Sequence, residues 1–107
     1  MIKEQFVNTI LVEIKKRVSQ GYFTIVNRRK NVEFMREHFL KIEDIKEFIF
    51  DLSFRNNYVK GPEEDRDDFE GQIWVFKYIF DKEMIYIKIR YNDPEVVCIS
   101  VHKDEPL

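Results

Sequence analysis

Apolar residues recur at helical spacing at the start of the chain. Residues three or four apart lie on one face of a helix, and the apolar set here consists of Ile2, Phe6, Val7, Ile10, Leu11, Ile14 and Val18. Charged residues occupy the opposite positions, so the pattern predicts an amphipathic surface helix. Gly21 is predicted to end this helix in a left-handed conformation, which glycine adopts without strain.

A short strand and two further helices are predicted next. Residues 22–26 read YFTIV, and such β-branched and aromatic residues favour a strand. Asn27 is predicted to cap the second helix, which would run RRKNVEFMREHF. The third helix is predicted over about residues 42–53, with a buried stripe of Ile42, Ile45, Ile49 and Leu52.

From residue 54 onward the hydrophobic period changes from helical to strand-like. SFRNNYVK predicts a strand, residues 61–71 a loop, and residues 72–80, 84–91 and 96–102 three more strands. Helices followed by a run of strands indicate the α+β class. We therefore expect one domain over residues 1–107, with three helices packed on one face of an antiparallel sheet of about four to five strands.

Alternation along the last two strands predicts a dry face and a wet face of this sheet. Residues 85, 87 and 89 are all isoleucine, and the next strand offers Val97, Ile99 and Val101 as its apolar set. If these sets face the helices, Cys98 lies opposite them, and the other face exposes Tyr86, Lys88, Arg90, Ser100 and His102.

Composition narrows the class of protein. The net charge is −2, yet residues 1–60 carry a balance of +4 and residues 61–107 a balance of −6. A single cysteine, Cys98, excludes an internal disulfide and fits a reducing cytoplasm. No zinc-ligand spacing is visible, so neither metal nor cofactor is predicted. No apolar run reaches the roughly 20 residues that span a bilayer, and no signal peptide is recognisable, so no membrane association is expected.

The predicted wet face carries groups suited to an anionic ligand. Lys88 and Arg90 are phosphate-binding residue types, while Tyr86 and His102 can stack on a base or move protons. RNA cleavage by a neighbouring 2′-OH needs such groups and no metal. The plainer alternative is an ordinary solvated sheet face. Likewise, the cations Arg28, Arg29 and Lys30 are either a solvated run or a contact for RNA phosphate or an acidic partner.

The order and spacing of several segments resemble the MqsR toxins, bacterial mRNA interferases of the wider RelE-like group. The similarity extends over about residues 14–103. The segment IKKRVSQGY resembles the family's first helix and the glycine that ends it. The segment FLKIEDIKEFIFDLSFRNNYVKG resembles the family's third helix and the strand that follows. Its three-strand core is similar to IW followed by IYIKI and ISVHK, and KGPEEDRD is typical of one branch.

This resemblance implies an endoribonuclease whose partners are an mRNA substrate and a cognate antitoxin, and it leaves open whether the ribosome is required. By position it implies that Lys60 and Tyr86 are catalytic and that Lys88 belongs to the site. His102 is implied as general acid, and its alternative is an exposed strand-end histidine. Where the better-studied branch has Gln after the strand tryptophan, this chain has Val75, so its RNA preference or mechanism is expected to differ.

The acidic stretch after Lys60 leaves two interpretations open. Glu63 and Glu64 are candidate general bases or modulators of Lys60, and Arg66 is a candidate phosphate contact; otherwise the stretch is a solvated loop face. The functional alternative is a non-catalytic binding module of similar fold that acts through protein partners. A third, less favoured alternative is a small phage protein of unrelated function. Trp74 is predicted as core, Cys98 as a small buried or half-buried filler and His38 as plain surface.

Overall fold

The computed structural model describes residues 2–66 and 70–105. Within these ranges the elements follow in the order α1 (Ile2–Ser19), β1 (Phe23–Ile25), α2 (Arg29–Glu37), α3 (Ile42–Phe50), α4 (Phe54–Asn57), β2 (Tyr58–Glu64), β3 (Gln72–Phe80), β4 (Glu83–Asn92) and β5 (Glu95–Lys103). The α+β class is therefore confirmed, and a fourth helix of one turn is added to the three that were predicted.

The five strands form one sheet in the order β1-β5-β4-β3-β2. Neighbouring strands from β2 to β5 are antiparallel, but β1 pairs with β5 in parallel, with Thr24 opposite Val97. The expectation of a purely antiparallel sheet was therefore wrong. The reason is that β1 lies at the far edge beside the last strand rather than next to the hairpins.

Helix α1 presents a slightly different face to the core than the pattern predicted. Val7, Leu11, Ile14 and Val18 are buried, whereas Phe6 is 46% exposed. Their spacing of four, three and four residues follows one face of a 3.6-residue helix, while a strict spacing of four drifts around it. Gly21 ends the helix with φ of +93°, as predicted.

The start of α2 differs from the predicted cap at Asn27. The helix begins at Arg29, with Arg28 at the N-cap and no side-chain hydrogen bond there. The chain cannot turn into a helix earlier because Val26 still donates its N–H to the carbonyl of Cys98, at 3.0 Å, which extends the parallel pairing with β5.

The segment after α3 is helical where a strand was predicted. α3 ends at Phe50, and the Ser53 hydroxyl accepts the N–H of Asn56 at 3.2 Å, which caps the single turn α4. Strand β2 then begins only at Tyr58 and runs to Glu64, so the predicted loop from residue 61 is shorter. The predicted stripe also loses Ile42, which is 37% exposed.

One hydrophobic core lies between the helices and the inner face of the sheet. The three isoleucines of β4, at positions 85, 87 and 89, are fully buried, and Trp74 and Cys98 join them. The predicted burial of Trp74 and of Cys98 is therefore confirmed, although Cys98 lies on the other face of β5 than predicted. No helix within the two described ranges is both long and apolar enough to cross a bilayer.

A one-residue bulge in β5 changes which side chains face inward. Lys88 lies opposite Ser100 and Ile89 opposite Cys98, so Ile99 has no counterpart on β4. Before the bulge Cys98 therefore faces the core and Val97 the open face, opposite to prediction. After it Val101 faces inward as predicted, because the extra residue restores the expected alternation.

Candidate functional site

A cleft of about 530 Å³ opens on the sheet face that the helices do not cover. Its walls come from the end of β1, the start of α2, strand β2, the segment after β2, and strands β3 to β5. They are lined by Val26, Arg28, Lys60, Glu63, Glu64, Asp65, Arg66, Ile73, Lys88, Arg90 and Ile99. Five of these side chains are cationic and three are carboxylates. The excess of positive charge suits an anionic ligand.

Two irregularities in β2 place Lys60 on this face. Tyr58 lies opposite Phe76, and Lys60 lies opposite Val75, so an extra residue separates the two pairs. In a regular strand residues two apart share a face. Because of the extra residue, Tyr58 points toward the core with Phe76, and Lys60 points into the cleft. A second shift between Lys60 and Glu63 also keeps Glu63 on the cleft face, opposite Ile73.

Gly61 is required for this path of β2. Its φ of +128° is rare for other residues, and an added Cβ would lie 2.7 Å from the carbonyl oxygen of Ile73. The backbone of β2 can therefore approach β3 closely only with glycine here. The Tyr58 hydroxyl donates to the Gly61 carbonyl oxygen at 2.6 Å, which further fixes the bend beside Lys60.

A row of facing residues crosses four strands at the mouth of the cleft. Lys60 faces Val75, Val75 faces Lys88, and Lys88 faces Ser100. Val75 is fully buried and Ile73, one row further along, is 4% exposed. Ile73 lines the apolar floor of the cleft, while Val75 is buried between Lys60 and Lys88 and is not part of the lining. At the position where the resemblance implies Gln, the chain therefore offers no side-chain hydrogen bond.

Two of the cleft cations are paired with carboxylates of the chain itself. Asp65 accepts from the Arg90 guanidinium at 3.0 Å, and only 7% of the Asp65 side chain is exposed. Glu63 lies 3.6 Å from the Lys60 ammonium, and both side chains are about half exposed, so this pair is weak. The sequence prediction missed Asp65, whose only signal was its position directly after the strand.

Among the described residues, the other cations of the cleft, Arg28, Arg66 and Lys88, have no such partner. Arg28 donates to the Ser100 hydroxyl at 3.1 Å. No carboxylate lies within 4 Å of the Lys88 ammonium in residues 2–66 and 70–105. The positive charges of Arg28 and Lys88 flank Ser100 and are available to an incoming anion.

The buried side chain of Asn31 fixes the bulge beside these cations. Its amide donates to the carbonyl oxygens of Val26 and Ile99, at 3.0 and 2.9 Å. Its carbonyl oxygen accepts the N–H of Val101 at 2.9 Å. Pairing of β1 with β5 ends at Cys98, and Asn31 satisfies the β5 backbone groups beyond that point. Sequence reasoning missed this role, because an asparagine inside a charged helix resembles a surface residue.

Tyr86 and His102 form the next row on the same face and do not line the cleft. They lie opposite each other, with ring centroids 5.6 Å apart and ring planes 22° from parallel. Tyr86 is two residues from Lys88, so the two Cα atoms are roughly 7 Å apart. His102 also contacts the Lys103 carbonyl oxygen through Nδ1 at 3.0 Å. The predicted proton carriers therefore border the cleft rather than enter it.

Arg29, a predicted contact for phosphate, lies away from the cleft, and so does His38, which was predicted as plain surface. The Arg29 side chain is 90% exposed and pairs with Glu33 one turn further along α2, at 2.9 Å. It is absent from the lining of the cleft. His38 was expected at the surface, but its side chain is only 17% exposed and packs 4.7 Å from the Phe34 ring. That expectation was wrong because the end of α2 contacts the β3–β4 hairpin.

Cys98 is not a nucleophile in this fold. It is fully buried, and this burial raises the pKa of its thiol to about 12. The thiol form therefore dominates at neutral pH. In the part of the chain that the structure describes, no three His, Cys, Asp or Glu side chains are grouped as metal ligands.

Comparison with known proteins adds no relative. No protein-family model, no curated protein and no solved structure matches this chain.

Proposed function

We propose that the chain is a metal-independent endoribonuclease, and that its substrate is single-stranded mRNA. One observation carries this proposal: the cleft gathers Lys60, Lys88, Arg90 and Arg28 from three distant parts of the sequence, around an apolar floor. Each was predicted as a site residue. Three of them are sheet residues: Lys88 and Arg90 alternate along the regular strand β4, and the shift after Tyr58 in β2 turns Lys60 to the same face.

The chemistry would use the RNA's own 2′-OH. Its oxygen forms a bond to the adjacent phosphorus while the bond to the 5′-oxygen of the next nucleotide breaks, leaving a 2′,3′-cyclic phosphate and a 5′-OH. Lys60, Lys88 and Arg90 stabilise the phosphorane charge. A base must take the 2′-OH proton, and Glu63 or Glu64 lies in the cleft for that role. The leaving oxygen needs a proton donor, and His102 borders the cleft.

The biological setting that we propose follows the resemblance to MqsR-like proteins. The chain would be the toxin of a toxin–antitoxin pair with a RelE-like arrangement, act in the cytoplasm on mRNA, with or without the ribosome, and be blocked by its antitoxin. Lys88 and Arg28, which have no carboxylate partner within residues 2–66 and 70–105, support a polyanionic substrate.

The test is RNA cleavage by the purified chain, mapped by primer extension. Lys60→Ala and Lys88→Ala are expected to slow cleavage about 100-fold or more, because each removes a charge that stabilises the transition state. Lys16→Ala is the matched control, since Lys16 is an exposed lysine on α1, outside the cleft. Equal rates for all three variants would refute the assignment of the cleft.

A second candidate is a binding module without catalysis. It is favoured by the position of Tyr86 and His102 outside the cleft, and by the carboxylates of Glu63 and Asp65 that already pair with two cations. Induction in a bacterium separates the candidates. The ribonuclease is expected to arrest growth and deplete mRNA, with relief by Lys60→Ala. Unchanged growth at high expression of folded protein would support the binding module.

A further inference from the structure

The uncovered sheet face continues beyond the cleft toward the β3–β4 turn, and its character changes along the way. From Lys88 the next residues of β4 on this face are Tyr86 and then Met84. Met84 lies opposite Ile79 of β3. Ile79 is 67% exposed and Met84 is 42% exposed, so two large apolar side chains remain in solvent. Single exposed apolar residues are common, but a facing pair is less so.

Charge does not dominate this part of the face. Lys77 lies opposite Tyr86, but its ammonium is 3.0 Å from the Asp104 carboxylate, so the positive charge is locally balanced. What remains is the Tyr86–His102 ring pair beside Ile79 and Met84. Flat rings and exposed apolar side chains match the faces of nucleobases, whereas phosphates require uncompensated charge.

We propose that Ile79, Met84, Tyr86 and His102 form a binding platform for unpaired nucleobases. This inference rests on the proposed function, since it assigns the platform to the same RNA strand whose phosphate occupies the cleft. We expect the same RNA strand to occupy both sites, because one strand of the sheet, β4, carries both the cationic cleft residues and residues of the platform. Bases inside a duplex have no free faces, so the platform selects single strands.

The dimensions fit a short stretch of RNA. Arg90 and Met84 are six residue steps apart on β4, which is about 20 Å along the strand. An RNA strand lying along β4 would place a phosphate between Lys60 and Lys88, and its neighbouring bases over the ring pair and the apolar pair. A mononucleotide in the cleft would not reach Met84, so affinity should rise with length.

The test is fluorescence anisotropy with two probes. One is a single-stranded hexamer of 2′-O-methyl RNA, which cannot be cleaved through its 2′ position, and the other is the same hexamer without bases. We expect the base-bearing hexamer to bind about tenfold more tightly, because its bases can stack on the platform. Ile79→Ser and Met84→Ser should remove most of this difference and leave binding of the base-free hexamer unchanged.

Val12→Ser is the matched control. Val12 is 68% exposed on α1, close to the value for Ile79, and should have no effect on either probe. Thermal melting of each variant confirms that it folds. Equal binding of the two probes by the wild type, or equal effects of Ile79→Ser and Val12→Ser, would overturn the platform.

A cleft variant separates failure of the platform from failure of the proposed function. Lys88→Ala should weaken both probes, because both carry the phosphates. If Lys88→Ala weakens both and Ile79→Ser weakens neither, the platform alone is refuted. If Lys88→Ala has no effect on either probe, the cleft is not the RNA site, and the platform fails with it.

Discussion

The two faces of β4 carry opposite kinds of residue along one strand. Ile85, Ile87 and Ile89 are fully buried against the helices, while Tyr86, Lys88 and Arg90 alternate with them on the open side. The inner set is removed from water and supplies hydrophobic stabilisation. The outer set touches little of the core. Stability and chemistry are therefore separated on this strand by a single residue step, so neighbouring substitutions should have unrelated effects.

The largest expected effect comes from the inner face. Ile87→Ala should lower the free energy of unfolding by about 3 kcal/mol, because it leaves a cavity in a closely packed core. Lys88→Ala should change it by at most about 0.5 kcal/mol, yet impair RNA cleavage. Urea unfolding followed by circular dichroism measures both. The separation of faces would be broken if Lys88→Ala destabilised the protein as much as Ile87→Ala does.

A smaller effect is expected where the backbone itself connects the two faces. Gly61→Ala should cost about 2–3 kcal/mol, because its Cβ would meet the β3 backbone at a positive φ. Gly21→Ala is the matched control. Its φ is +93°, but nothing lies within 4 Å of the added Cβ, so it should cost only about 1 kcal/mol.

The rate of RNA cleavage should distinguish the same two variants. Gly61→Ala should also slow RNA cleavage, because Lys60 depends on the bend at Gly61 for its place in the cleft. Gly21→Ala should cleave at the rate of the wild type. Both variants are assayed well below their melting temperatures. Equal stabilities of the two variants would contradict the close approach of β2 to β3.

The smallest effect concerns charge on the outer face. Asp65→Asn removes the carboxylate that pairs with Arg90 and should tighten binding of single-stranded RNA about fivefold at low salt, a gain of roughly 1 kcal/mol. Asp81→Asn removes the same charge from the exposed β3–β4 turn, where asparagine tolerates the positive φ of 50°, and should have a smaller effect. Anisotropy titrations measure both. Weaker binding by Asp65→Asn would show instead that Asp65 holds Arg90 in its binding orientation.

Alternation of side chains was sufficient to predict much of this arrangement. The inward isoleucines of β4, the outward Tyr86, Lys88 and Arg90, and the helical segments α1 to α3 all follow from local periodicity. Most of the predicted site residues also line the cleft. Local pattern was informative here because β4 is a regular strand without a shift against β3.

The remainder depends on pairing between distant segments. The bulge at Ile99 and the two shifts in β2 arise from register with neighbouring strands, which no local pattern records. For this reason Cys98 was placed on the wrong face. The helical turn at Phe54–Asn57 was taken for a strand although its cap, Ser53, is a local signal. Asn31 and Asp65 were missed because each acts on a residue far away in sequence, respectively Ile99 and Arg90.

The most direct measurement is the chemistry of the cut itself. A defined single-stranded RNA is incubated with the purified chain in a chelator, the cut is mapped, and the same RNA is then made with a 2′-deoxy nucleotide on the 5′ side of that cut. If the RNA's own 2′-OH is the nucleophile, we expect a 2′,3′-cyclic phosphate product from the first RNA and no cleavage at the substituted site of the second. We also expect loss of the activity in Lys60→Ala. Cleavage of the 2′-deoxy RNA at the same site, or no cleavage of any RNA by the folded wild type, would contradict it.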